Sequence, residues 1–200
     1  MIKNVIFDLG NVLLDFNPKG YLKKKINEIN IDDVYEAIFK SEEWPMLDRG
    51  TITEDDAKRN IINRNKSYEE DIVKAFNNWY ELLIPIAETV EVLGELKKKG
   101  YKVYYLSNFH SAAFDYVTSH HDFFDIFDGG VVSYAEKLLK PEKEIYMKII
   151  KRYDLIPEES VFIDDTLENV KGAEACGIKG IYLYNTNKLK EKLRNMDINI

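Results

Sequence analysis

The sequence predicts an α/β protein, a doubly wound parallel sheet with an inserted small α-helical cap domain. Short apolar segments alternate with helix-like patterns along most of the 200-residue chain. One long stretch between the first two apolar segments has a helical pattern throughout. Polar residues that can carry chemistry directly follow several of the apolar segments. Alternation of this kind favours helices packed on both faces of a parallel sheet.

Five short segments predict buried strands, because they are rich in apolar, β-branched and aromatic residues. They are Val5–Leu9, Lys102–Leu106, Gly130–Ser133, Val161–Ile163 and Gly180–Tyr184. Near-continuous apolar runs are typical of parallel strands that helices cover on both faces. The segments therefore predict a Rossmann-like sheet, in which ligands bind beyond the carboxyl ends of the strands.

Three helices are predicted between these strands, from apolar residues that recur one turn apart. The first spans about Glu88–Lys99 and ends at Gly100, since glycine readily adopts the left-handed conformation that ends helices. The second follows Pro141, which can occupy the first helical position. The third spans about Leu167–Ala175 and ends at Gly177.

Residues 17–84 interrupt the alternation with helical patterns alone. Ser67 and Thr53 are each followed three positions later by an acidic residue, which predicts two capped helix starts. An all-helical insertion at this point predicts a cap that closes over a site on the sheet. The expected division is a catalytic core of residues 1–16 and 85–200 and a cap of residues 17–84.

The composition is that of a globular protein, with 45% hydrophobic and 32% charged residues. A net charge of −7 disfavours general nucleic-acid binding, which requires a basic surplus. No segment approaches the ~20 apolar residues of a membrane span, and the first strand begins too early for a signal peptide. We therefore expect a cytoplasmic protein that binds neither nucleic acid nor membranes. A monomer and a homodimer both remain open.

Carboxylates follow two of the predicted strands. Asp8 lies at the end of the first strand and could attack phosphorus to form an aspartyl-phosphate, although a turn-capping role is the alternative. Asp164 and Asp165 follow the fourth strand, where adjacent carboxylates repel each other unless a cation lies nearby. Mg²⁺ prefers such oxygen ligands. The alternative for this pair is capping of the next helix, and Asn169 could orient its carboxylates.

Three further residues at strand ends or adjacent loops could bind a phosphoryl group. Lys140 could neutralise it as a point charge, and a solvated surface lysine is the alternative. Ser107 and Asn108 follow the second strand and offer a hydroxyl, an amide and backbone N–H groups, although a plain turn would look the same. Each signal is weak alone, but their order at four strand-end regions of one chain is specific.

Other candidates lie in or near the predicted cap. Arg49 could bind an anionic or polyhydroxyl substrate, or could be a surface arginine at a helix end. Trp44 and Trp79 are more typical of packing between helices than of a cleft. His110 could face the pocket but is assigned no catalytic role. Asp15, at the exit into the cap, is a weaker candidate for a catalytic acid.

These fragments together make the chain resemble the haloacid dehalogenase-like (HAD) hydrolase superfamily over nearly its full length. The segments Phe7–Val12 and Phe162–Asp165 most resemble the bacterial sugar-phosphatase branch typified by α-D-glucose-1-phosphate phosphatase. The resemblance implies Mg²⁺ as cofactor and a role for each motif residue. By this resemblance, Asp8 would be the nucleophile and a metal ligand, and Gly10 would offer its backbone carbonyl to the metal. Asp165 would be the main distal metal ligand, with Asp164 in support. Ser107 and Asn108 would bind the phosphate group, and Lys140 would stabilise its charge.

Gly10 departs from the pattern that the resemblance implies. Most phosphatases of the superfamily carry there a second aspartate, which protonates the leaving oxygen, an effect worth roughly 10²–10⁴ in rate. Without that acid, the site should favour substrates whose leaving group needs little protonation, such as sugar 1-phosphates. The interpretation is therefore a magnesium-dependent phosphomonoester hydrolase acting on a small phosphorylated metabolite. A phosphotransferase or mutase with the same phosphoenzyme, or a catalytically weak binding protein, is the alternative.

Overall fold

The computed structural model describes residues 1–200 and contains five strands and eleven α-helices. The strands are β1 (Asn4–Phe7), β2 (Lys102–Ser107), β3 (Gly129–Val132), β4 (Ser160–Asp164) and β5 (Lys179–Tyr182). The helices are α1 (Pro18–Lys25), α2 (Ile31–Phe39), α3 (Glu43–Arg49), α4 (Glu54–Arg64), α5 (Glu69–Phe76), α6 (Ala87–Lys98), α7 (Ser111–His120), α8 (Ser133–Glu136), α9 (Lys143–Arg152), α10 (Leu167–Glu174) and α11 (Leu189–Arg194). All five predicted strands are present. None of the helices has the length and apolar character needed to cross a membrane.

β1 lies at the centre of the sheet, whose order is β3-β2-β1-β4-β5 with every neighbouring pair parallel. The chain builds outward from β1 to β3 and then crosses back to β4 on the other side of β1. Such a reversal of strand order is where doubly wound sheets bind ligands. Phe7 pairs with Tyr105 and Ile163, so the residues that follow β1, β2 and β4 meet at one edge of the sheet.

Alternate strand residues pack on opposite faces of the sheet, as the two-residue period of a strand requires. Phe7 belongs to the larger hydrophobic core, which continues into the helices before α6. Ile6 and Phe162 belong to a smaller core on the other face, together with Tyr146 of α9. Both faces are therefore covered, which confirms the predicted doubly wound architecture.

Most of the predicted helix boundaries in the core have the expected cause. Gly100 and Gly177 follow α6 and α10 with φ angles of 86° and 84°, the left-handed conformation that glycine tolerates best. The helix expected directly after Pro141 instead begins at Lys143, with Glu142 at its N-cap. The proline therefore lies in the turn that leads to α9 and not in the helix itself.

The segment between β1 and α6 is helical, as predicted, but one of its two capping signals is wrong. The Thr53 side chain accepts a hydrogen bond from the Asp56 N–H at 3.1 Å and so caps α4. Ser67 instead lies in a 3₁₀ turn, and α5 begins at Glu69 without a side-chain cap. The helix ends at Phe76, since Asn77 is extended with ψ 110° and Asn78 is left-handed with φ 57°.

The two connections into and out of this helical segment run side by side. The Asp15 N–H donates to the Ile84 carbonyl at 2.7 Å, and the Ile86 N–H donates to the Leu13 carbonyl at 2.8 Å. The predicted cap, residues 17–84, lies between these paired connections. Backbone hydrogen bonds thus join the two connections to each other.

The carboxylate of Asp128 links α6 to the beginning of β2 by hydrogen bonds. Its carboxylate accepts hydrogen bonds from Lys97 Nζ, Lys102 Nζ and the Val103 N–H, at 2.7, 2.9 and 3.0 Å. Burial alone would raise the pKa of Asp128, but these three donors outweigh burial and lower it to about 2. In the folded state this carboxylate therefore stays largely ionised until the pH falls to about 2.

Replacing Asp128 with asparagine should lower the free energy of unfolding at pH 7 by about 1–3 kcal/mol, because two ammonium groups lose a charged acceptor. The folded pKa lies below the unfolded value of about 3.9, so the contribution is fully present above that value. It should disappear as the pH falls from about 4 towards 2, through the folded pKa. Urea unfolding of both proteins across this range measures the difference, and a deficit as large at pH 2 as at pH 7 would contradict the explanation.

Candidate active site

Asp8 directly follows β1 and is buried at the centre of the sheet edge. Its Oδ1 accepts hydrogen bonds from the Leu9 N–H at 2.7 Å and Ser107 Oγ at 2.6 Å, and lies 2.9 Å from Lys140 Nζ. No protein hydrogen bond reaches Oδ2. Burial raises the pKa of Asp8 to about 7; Lys140 opposes this and the Asp164 charge adds to it. One oxygen is thus anchored while the other is available to attack a substrate.

Lys140 is buried between two carboxylates, with Nζ 2.9 Å from Asp8 Oδ1 and 2.6 Å from Asp164 Oδ2. Burial lowers the pKa of this ammonium group, but the charges of Asp164 and Asp8 outweigh burial and raise it. Asn108 holds the lysine backbone: its Nδ2 donates to the Lys140 carbonyl at 3.1 Å, and its Oδ1 accepts from the Lys140 N–H at 2.8 Å. The Asn108 side chain therefore positions Lys140.

The adjacent carboxylates after β4 lie in different environments. Asp164 is fully buried and accepts hydrogen bonds from the Thr166 N–H at 2.7 Å and from Asn169 Nδ2 at 3.1 and 3.2 Å, besides Lys140. Asn169 thus orients Asp164, as the sequence suggested. Asp165 is only half-buried, and burial raises its pKa. Asp164 is therefore the fixed member of the pair and Asp165 the more accessible one.

The three carboxylates form a cluster that fits a divalent cation. Asp8, Asp164 and Asp165 each offer an oxygen within 4.8 Å of the others. Only the Lys140 ammonium offsets their charge, so the cluster keeps an excess of negative charge that a cation would relieve. Mg²⁺ usually needs one or two carboxylates together with substrate and water oxygens. The donor set therefore suits Mg²⁺ chemically.

A cavity of about 140 Å³ lies against Gly10 and is mostly aromatic. It is lined by Gly10, Phe16, Trp44, Asp48, Trp79, Leu83, Asn108, Phe109 and His110. Trp44 and Trp79 pack against each other at a centroid distance of 5.2 Å, as favoured from the sequence, and both also line this cavity. A Cβ atom built on Gly10 would meet no atom within 4 Å. Position 10 therefore opens on free space.

Most of the chain, including all of these groups, matches the sequence model of a known protein family. The model for haloacid dehalogenase-like hydrolases matches residues 2–177. The chain belongs to this family. The match begins before β1 and ends after α10, so it includes every carboxylate described above.

Similar proteins include phosphatases of different substrate classes. The sesquiterpene phosphatase astK of Aspergillus oryzae is 31% identical over 97% of this chain and 96% of its own length. The D-ribitol-5-phosphate phosphatase of Bacteroides thetaiotaomicron is 24% identical over 90% of each chain. A crystal structure of a HAD family enzyme from the same bacterium, in complex with magnesium and inorganic phosphate, is 27% identical with a TM-score of 0.69, and covers 90% of this chain and 93% of its own.

Asn11 is a residue at this site of the HAD hydrolase that the sequence patterns missed. Its Nδ2 donates to Asp165 Oδ2 at 3.0 Å, and its Oδ1 accepts from the Phe16 N–H at 3.2 Å. The residue is left-handed, with φ 54°. Asparagine is one of the few residues that tolerate this conformation, so an asparagine after Gly10 is the signal that could have identified the turn. Asn11 thereby orients the more accessible carboxylate of the pair.

The structure does not bring Arg49 or Asp15 to this site. The Arg49 guanidinium pairs with Glu142 and donates to the Lys137 carbonyl at 3.1 Å, so it ties α3 to the core. A role for Arg49 in substrate binding stays a prediction, and in this structure its charge is paired with Glu142. Asp15 is exposed and lines a different cavity with Lys24 and other residues. Neither side chain faces the carboxylate cluster.

Proposed function

We propose that this HAD hydrolase is a magnesium-dependent phosphomonoester hydrolase that acts on a small phosphorylated metabolite. The observation that carries the proposal is the unengaged Oδ2 of Asp8, within a cluster where three carboxylates and Lys140 meet. The phosphatases among the relatives support this reaction. The magnesium and phosphate in the related Bacteroides structure support the cofactor.

The geometry suits two successive displacements at phosphorus. Asp8 Oδ2 attacks the phosphorus, the bond to the leaving alcohol breaks, and an aspartyl-phosphate remains. Water then attacks this phosphorus, and the released phosphate leaves Asp8 as a carboxylate. Splitting the reaction in this way replaces one difficult step by two easier ones. Lys140 and Ser107 hold the other carboxylate oxygen throughout, so Oδ2 keeps its direction of attack.

Magnesium would be held by Asp8, by Asp165 with support from Asp164, and by the carbonyl of Gly10, and when bound it would offset the negative charge of the phosphoryl group. Positioning and charge stabilisation account for most of the catalysis of phosphoryl transfer. Asp164 already receives hydrogen bonds from Lys140 and Asn169, whereas Asp165 has fewer partners. We therefore assign the more direct metal contact to Asp165.

Phosphate release in the presence of Mg²⁺ and its loss on chelation with EDTA would test the proposal. The protein should release phosphate from a panel of metabolite phosphates only when the metal is present. Release that continues undiminished in EDTA would contradict the cofactor. A phosphotransferase would instead move the phosphoryl group to an added sugar, so product analysis with such an acceptor separates the two reactions.

Two substrate classes are candidates for the leaving group. A sugar 1-phosphate follows from the absence of an acid at Gly10, provided that no other group donates the proton. The phosphate ester of an apolar or flat alcohol follows from the cavity, whose lining includes Phe16, Trp44, Trp79 and Phe109. The sesquiterpene phosphatase among the relatives supports the second class. Aromatic side chains contribute large apolar contact areas, so they favour such an alcohol over a strongly hydrated one.

Benzyl phosphate should be hydrolysed with a kcat/KM about 10–100 times that of ethyl phosphate, because burial of a large apolar side chain is worth about 1.5–3 kcal/mol. Both esters release a primary alcohol, so the comparison isolates the apolar ring. Initial rates of phosphate release at low substrate concentration measure the ratio. Equal rates for the pair, with glucose 1-phosphate faster than either, would favour the sugar 1-phosphate class instead.

A further inference from the structure

His110 is a buried side chain that the proposed reaction has not yet used. It follows β2 by three residues and is only 4% exposed. The rings of Trp44 and Trp79 lie edge-on to it, at centroid distances of 4.4 and 5.2 Å. Its Nε2 is 3.1 Å from Asp48 Oδ1, but this contact lacks the direction of a hydrogen bond, and both ring nitrogens are without a hydrogen-bond partner.

An unpaired polar group in such a position requires an explanation. Leaving a buried donor or acceptor unsatisfied is costly, so native structures contain few of them. A histidine that only packed the cap on the core would be replaced at no cost by an apolar side chain of similar size. The unpaired ring nitrogens of His110 therefore point to a hydrogen-bond or proton-transfer partner outside the protein.

The cavity that His110 lines indicates where that partner would bind. The ring lines the same cavity as Gly10, which is two residues after the nucleophile, and Asn108, which follows Ser107. The space beside Gly10 is free of protein atoms to 4 Å from an added Cβ. Gly10 and His110 thus border the same cavity, and position 10 has room for a side chain.

A single hydroxyl fixes the histidine and its carboxylate partner together. Ser133 Oγ accepts a hydrogen bond from the Phe109 N–H at 2.9 Å and donates to the backbone carbonyl of Asp48. Phe109 precedes His110 on the core, whereas Asp48 lies on α3, within the predicted cap. The pair therefore forms only when α3 is docked on the core, as it is here.

We propose that His110, held against Asp48, donates a proton to the leaving-group oxygen in place of an aspartate at position 10. The proposal rests on the proposed phosphatase function. In the first step the protonated ring, whose charge is stabilised by Asp48 Oδ1 at 3.1 Å from Nε2, gives a ring proton to the leaving oxygen as the bond between phosphorus and that oxygen breaks. The phosphoryl group passes to Asp8, and the alcohol leaves neutral.

The second step restores both groups. The neutral ring takes a proton from the water molecule whose oxygen attacks the aspartyl-phosphate. The bond between phosphorus and Asp8 Oδ2 breaks, phosphate departs, and the carboxylate of Asp8 and the protonated ring of His110 are regenerated. Histidine suits this exchange because its ring nitrogens can both donate and accept a proton. With this donor present, the leaving group need not be acidic, and esters of ordinary alcohols become substrates.

The test compares two esters in a His110→Gln variant. Its kcat/KM for benzyl phosphate should fall by about 10²–10⁴, the usual contribution of a general acid, whereas that for p-nitrophenyl phosphate should change little because p-nitrophenolate leaves without a proton. Adding Gly10→Asp to His110→Gln should restore much of the benzyl phosphate activity. Asp48→Asn should show the same split between the esters to a smaller degree. His120→Gln, an exposed histidine on α7, is the matched control and should behave as the wild type.

Other outcomes would overturn the proposal. Equal losses on both esters would show that His110 serves only to dock the cap, and no loss on either would show that it carries no proton. A melting temperature measured for each variant separates such losses from unfolding, and Asp48→Asn gives a second variant if His110→Gln does not fold. Wild-type phosphate release that Asp8→Asn leaves unchanged would remove the phosphatase function itself, and the histidine proposal with it.

Discussion

Asp8→Asn should abolish phosphate release while leaving the fold intact. Removing a catalytic nucleophile lowers kcat by about 10⁴–10⁶-fold in well-studied hydrolases, and an amide oxygen is a far weaker nucleophile than a carboxylate. The asparagine carbonyl can still accept hydrogen bonds from Leu9 and Ser107, which now bind Oδ1. Steady-state phosphate release with benzyl phosphate and Mg²⁺ measures the loss.

The stability of the Asp8→Asn protein separates this chemical effect from damage to the fold. Burial disfavours an ionised Asp8, and the nearby Asp164 charge adds to this cost. A neutral amide avoids both, and Lys140 keeps its partner Asp164. In EDTA the variant should therefore melt at or above the temperature of the wild type. Asp15→Asn, on an exposed residue of the same connection, is the matched control and should retain full activity. Substantial activity in Asp8→Asn would overturn the assignment of the nucleophile.

The sequence was informative about the sheet because the signals there are local and repeat along the chain. Apolar runs such as Val161–Ile163 can be buried on both faces only within a covered parallel sheet. Since parallel strands end at one edge, Asp8 and Asp164 could be expected to meet without any knowledge of the loops. The structure adds that Asp164 rather than Asp165 holds Lys140, a difference that depends on which way each side chain leaves the strand.

The cap-facing part of the site could not be predicted, because its contacts join residues that share no periodic pattern. His110 and Asp48 are 62 positions apart and meet only because α3 docks beside the loop after β2. Trp44 has the sequence pattern of a packing residue and does pack, yet it also lines the cavity. Periodicity identifies which face of a helix is apolar, but it does not show whether that face covers a core or a substrate.

Lys140→Met should be both unstable and inactive. Its ammonium group lies 2.9 Å from Asp8 Oδ1 and 2.6 Å from Asp164 Oδ2, and all three side chains are buried. Removing one partner of a buried ion pair costs about 3–5 kcal/mol of unfolding free energy, because an uncompensated charge remains. The same group stabilises the transferring phosphoryl charge, so kcat should fall by about 10²–10³ or more. Urea unfolding in EDTA and phosphate release with Mg²⁺ measure the two effects.

A second substitution distinguishes the two roles of Lys140. In Lys140→Met combined with Asp164→Asn, one of the two carboxylates left without their cation is neutralised, so a large part of the lost stability should return. Activity should not return, because the positive charge beside Asp8 is still absent and Asp164 no longer supports the metal. A double variant as unstable as Lys140→Met would show that the lysine stabilises the fold by packing, and recovery of activity with stability would show that its charge has no part in catalysis. The expected result, a folded protein without phosphatase activity, would mean that Lys140 offsets the buried carboxylates for the fold and the phosphoryl charge for the reaction.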